Sequence, residues 1–88
     1  MPLYIVLLLM VATQKLIDKL AVQSIKKSEL ETLLSRLGFV KLRGKGSHEV
    51  WGHKDYPDVH IVIATHSKEV PKYQLRQIEN SLVKRGLL

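Results

Sequence analysis

The stretch of this chain whose residue types and spacing suit chemistry is Arg43-Gly44-Lys45-Gly46-Ser47-His48. Two glycines let a backbone turn tightly and approach a ligand closely. Exposed N–H groups in such a turn form a concave anion site, Lys45 and Arg43 add positive charge, and His48 is the side chain best able to move a proton near neutral pH. The combination suits a phosphate and reads as a site for cutting RNA. In that reading His48 transfers the proton, while Arg43, Gly44, Lys45, Gly46 and Ser47 hold the phosphate. The same residues also make an ordinary hairpin loop between two strands. They are not a dinucleotide fingerprint, because G-x-G-x-x-G needs a further glycine and then a helix, whereas Glu49-Val50-Trp51 reads as strand.

The remaining histidines, His53, His60 and His66, invite a metal reading that the pattern does not favour. No cysteine is present, and neither H-x-x-x-H nor H-E-x-x-H occurs. His48 and His53 are an odd number of residues apart, so on one strand they point to opposite faces. Ser47 and His48 are adjacent, and neighbouring strand side chains diverge, which argues against a nucleophilic pair. His66 is the candidate for a second proton-transfer group, with a structural role before the last helix as the alternative. Trp51 is expected in the core, and His53 and His60 are expected to be solvated or held by hydrogen bonds.

Several elements must position that turn. Leu9, Leu16 and Leu20 with Ile5 and Ile17 share a helical face, predicting a helix over roughly residues 3–21. Ser28 and Glu31 have the spacing of a capping box, and Leu30, Leu33, Leu34 and Leu37 follow at helical intervals up to Gly38, a left-handed stop. Residues 39–43, 48–53 and 59–64 read as three strands, with turn chemistry at Tyr56-Pro57-Asp58. Such short connections make antiparallel neighbours. A last helix opens at Pro71, carries Leu75, Ile78 and Leu82 on one face and Lys72, Arg76, Lys84 and Arg85 outward, and stops at Gly86. Both domain helices then cover one sheet face and leave the other, or its rim, for a ligand.

With 88 residues the chain holds one small domain with a thin core, so chemistry belongs on its surface. The net charge of +6 favours an anionic partner, and residues 24–88 carry +5 of it. The absence of cysteine excludes disulfides and is compatible with a reducing cytoplasm, the expected location. Residues 2–14 carry no charge, but this apolar run is about half the roughly 20 residues needed to span a bilayer. Packing on the domain or on a partner is one role for it, and an upstream start that makes part of it unnatural is another. A third is an apolar anchor at a membrane surface through residues 1–20.

Taken together, the helix opening at Ser28-Glu29-Leu30, Leu37-Gly38-Phe39-Val40, Gly44-Lys45-Gly46-Ser47-His48, His53-Lys54-Asp55, His66, and Val70-Pro71-Lys72 before Leu75-Arg76-Gln77-Ile78 resemble the HicA family of small toxins over roughly residues 26–86. The resemblance implies an α+β fold like that of double-stranded-RNA-binding domains, α-β-β-β-α with a three-stranded antiparallel sheet. It implies cleavage of messenger RNA without a metal or other cofactor, with the catalytic histidine falling on His48, and silencing by a HicB antitoxin. Residues 1–23 lie outside it, so the expected division is an apolar helical extension over 1–23 and an RNA-cleaving domain over 24–88. Tyr56-Pro57-Asp58 stands where many relatives have a tighter turn. The principal alternative is a module of the same fold that grips RNA by shape and charge without cutting it.

Overall fold

A computed structural model describes residues 2–45, 48–64 and 69–88, and for Lys45 the backbone only. The elements are α1 (Leu3–Ala21), α2 (Lys27–Arg36), β1 (Phe39–Lys45), β2 (His48–His53), β3 (His60–Ala64) and α3 (Lys72–Lys84). The strands form one antiparallel sheet in the order β1-β2-β3. This is the expected α-β-β-β-α order behind an additional helix. β1 runs two residues further than anticipated, because Gly44 and Lys45 stay in the ladder opposite Glu49 and His48.

Strand alternation sorts the sheet into two faces. Phe39, Trp51, Ile61 and Ile63 face the helices and share one core with Leu30, Leu33 and Leu34 of α2 and Leu75, Ile78 and Leu82 of α3. The other face carries Val40, Leu42, Val62, His48 and His60 in the open, with Val50 half-buried among them. α1 divides along its length. Leu20 is wholly buried in the common core and Leu16 and Ile17 pack against it, whereas Leu3, Tyr4, Leu7, Leu8 and Met10 stand exposed. Among the described residues no helix is long and apolar enough to cross a membrane.

All three helices end on a left-handed residue. Gly38 (φ 99°) follows α2 and Gly86 (φ 77°) follows α3, as their positions in the sequence suggest. The third is Gln23 (φ 56°), which the sequence does not mark. Its N–H donates to the Leu20 carbonyl and the Ser24 N–H to that of Lys19, both at 2.9 Å, the paired closure that satisfies a helix's last carbonyls. The start of α2 also differs from the expected Ser28/Glu31 box. The cap lies two residues earlier, at Lys26, whose N–H donates to the Glu29 carboxylate at 3.0 Å. Glu31 is instead engaged by Lys27 at 3.3 Å, one turn along the same helix.

Gly38 is required twice over. Its φ lies where side chains are strained, and a Cβ there would come within 2.8 Å of Nε2 of His53. Gly38→Ala is therefore expected to cost about 1–3 kcal/mol from backbone strain, with the displacement of His53 adding to it. Urea denaturation of the two proteins measures the difference, and an unchanged midpoint would contradict it.

Candidate nucleic-acid interface

His48 opens β2 on the sheet face away from the helices, and its ring is solvent-exposed. Across the ladders it pairs with Ala64 of β3 and with position 45 of β1. One row further along, Val50 pairs with Val62 and Arg43. The place of Arg43 depends on a bulge. Lys41 pairs with Trp51 on the helix side, and simple alternation would return residue 43 to that side. The register shifts between Lys41 and Arg43, Leu42 is the extra residue, and Arg43 lands opposite Val50 on the open face. There it lies diagonal to His48, within reach for a long side chain. Leu42 lies over Gly52, where a Cβ would come within 2.7 Å of its Cδ1.

Gly44 has a different task from the one its sequence context suggests. It is a strand residue opposite Glu49 rather than part of the turn, and a Cβ on it would come within 2.5 Å of Cε of Lys41 and 3.2 Å of Cγ of Glu49. Its bare backbone makes room for the lysine to cross to that carboxylate. Of the other predicted contacts, Lys45 takes the ladder position facing His48, while Gly46 and Ser47 lie outside the described residues, as does His66.

Sequence reasoning missed Glu49. Its side chain is buried on the helix side, where Nζ of Lys27 donates to Oε2 at 2.9 Å, the Trp51 indole N–H donates to Oε1 at 3.2 Å, and Nζ of Lys41 lies 3.5 Å away. Burial pushes its carboxyl up, but the hydrogen bonds from Lys27 and Trp51 outweigh this and the group is lowered to about 2. The same contact raises the Lys27 ammonium above its ordinary value. An acid on the core-facing parity of a strand, in phase with Trp51, is the one signal that could have marked it.

The other histidines separate. His53 is buried beneath the helices, on the face opposite His48, as the odd spacing requires. Its Nε2 lies 2.7 Å from the Leu37 carbonyl and its Nδ1 accepts from the Asp55 N–H at 3.0 Å, so the ring is the tautomer protonated at Nε2. It also meets the edge of Phe39 and the ring of Tyr56. His60 is exposed at the far end of the open face. Among the described residues no three His, Cys, Asp or Glu side chains gather as a metal site.

A protein-family model described as the HicA toxin of bacterial toxin-antitoxin pairs matches residues 28–85, about two thirds of the chain. The chain belongs to the HicA toxin family. As a HicA-family protein it is the toxin partner of an antitoxin in such a pair. The match takes in the sheet, α3 and all of α2 but its first residue, and leaves α1 outside. Neither the curated proteins nor the solved structures searched return a match.

The Glu49 cluster predicts an acid-side loss of stability. A carboxyl lowered in the folded state stabilises the fold above its unfolded value, near 4.5, and that contribution is lost as pH falls toward about 2. Thermal melts between pH 5 and 2 should show this loss in the parent protein. Glu49→Gln should be less stable than the parent at pH 7, with a smaller difference at pH 2. A constant difference over that range would mean that the carboxylate is not what holds Lys27.

Proposed function

We propose that this toxin is a metal-independent endoribonuclease that cleaves messenger RNA on the open face of its sheet, with His48 as the proton-transfer group. The observation that carries the reading is an exposed imidazole on the sheet face away from the helices, diagonal to an exposed guanidinium, in a family of toxins. The 2′-hydroxyl of the RNA attacks the adjacent phosphorus, and the bond to the 5′-oxygen breaks, leaving a cyclic phosphate and a 5′-hydroxyl. His48 takes the proton of the attacking hydroxyl or delivers one to the departing oxygen. Arg43 and Lys45, with the backbone N–H groups of Gly46 and Ser47, stabilise the charge that develops on the phosphate. His66 is the candidate for the second proton transfer. A HicB-like antitoxin that covers this face silences the enzyme by blocking RNA, without a change of shape.

His48→Ala should reduce cleavage of a transcript by roughly 10²–10⁴ while retaining the fold, because the ring is exposed. Growth arrest on expression should disappear with it. A substrate carrying deoxyribose at the scissile position should resist the parent enzyme. Transcript cleavage by His48→Ala at the parent rate would refute the assignment, and RNA binding with no cutting by the parent would leave a non-catalytic RNA-binding module.

A further inference from the structure

The outward cations Lys72, Arg76 and Lys84 of α3 and Arg85 just after it do not share one environment. Arg76 reaches toward Oε1 of Gln23 at 3.5 Å, on the α1 side of the molecule. Lys72 lies near Val22, Ser24 and Lys26 at the other end of the helix. Lys84 and Arg85 instead line a cleft of about 480 Å³ with Ser81, Asp58, Val59 and His60, at the free edge of β3. The guanidinium of Arg85 is held in place. It pairs with the Asp58 carboxylate and lies over the Tyr56 ring, 5.6 Å from the centroid. Lys84 is exposed and pairs with no carboxylate among the described residues.

We propose that this cleft is a second phosphate subsite for the same RNA strand, with Lys84, Arg85, Ser81 and His60 as its contacts. The proposal rests on the nuclease reading above and extends it from a scissile phosphate to a track. Ala64, the ladder partner of His48, lies four residues along β3 from His60. At strand spacing the two histidines are about 14 Å apart, a distance that RNA covers in a few nucleotides. The surface between them is apolar, with Val50, Val62 and Leu42 on the open face. Bases can pack on such a floor by apolar contact, while phosphates seek the basic groups at its two ends. Asp58 does not cancel the site, since Arg85 carries five N–H donors and Lys84 pairs with no carboxylate among the described residues. Lys84 and Arg85 act here as positioning residues and take no part in proton transfer.

The test uses the full chain. Equilibrium binding of a fluorescent single-stranded oligoribonucleotide is measured on the His48→Ala background, so that the RNA stays intact, with Lys84→Ala, Lys84→Glu and, as a charge-matched control on the same helix, Arg76→Ala. Cleavage by the parent protein and by each variant with His48 retained is followed in parallel. The expected result is a several-fold weaker affinity for Lys84→Ala and more for Lys84→Glu, a salt slope reduced by about one, and little change for Arg76→Ala. In the cleavage assay the Lys84 loss should fall on KM rather than kcat. If the parent cuts RNA but Lys84→Ala and Arg76→Ala bind alike, the subsite is refuted and the nuclease reading stands. If the parent cuts no RNA, the nuclease reading falls and the track falls with it.

Discussion

A carboxylate under a sheet sets the geometry of this molecule. Burying the charge of Glu49 is costly unless it is paired and hydrogen-bonded. Here the first residue of α2, a lysine of β1 and the indole of Trp51 converge on it. That convergence ties the helix to the hairpin, and Lys41 passes over the bare backbone of Gly44 to join it. It also fixes what the other side of β2 presents. Successive strand residues face opposite ways, so a Glu49 held inward directs its neighbours His48 and Val50 outward. The exposure of the candidate catalytic ring thus follows from the burial of the residue beside it.

The two faces of the sheet divide the work among similar residues. His53 closes one end of the core by joining the last carbonyl of the α2 region to the turn after β2, and both its nitrogens are committed there. His48, five residues away on the same strand, faces solvent. The cations divide likewise: Lys27 and Lys41 neutralise Glu49, while Arg43 remains on the open surface. Formal charge therefore overstates what is available to an anionic partner, and position on the sheet decides it.

Much of this was legible in the sequence, for identifiable reasons. The leucine spacing of α2 and α3 matches the period of a helix, Gly38 and Gly86 stand where a left-handed residue is wanted, and the β-branched run of β3 suits a pleated surface. The opposite facing of His48 and His53 follows from counting. What the sequence did not disclose depends on contacts distant in the chain or on unmarked backbone. The bulge at Leu42 carries no glycine or proline, Gln23 adopts a conformation more typical of glycine, and Lys27 meets Glu49 across 22 residues. Ser28 resembled a cap, but the helix start is closed two residues earlier, where Glu29 accepts from the Lys26 N–H.

The extra residue at Leu42 makes the register of β1 matter as much as the identity of its residues. Paired in plain alternation, the same residues would put Leu42 opposite Val50 and Arg43 opposite Glu49, beneath the helices. Such a chain would have the same formal charge and the same recognisable motif, but its guanidinium would be on the wrong side of the sheet.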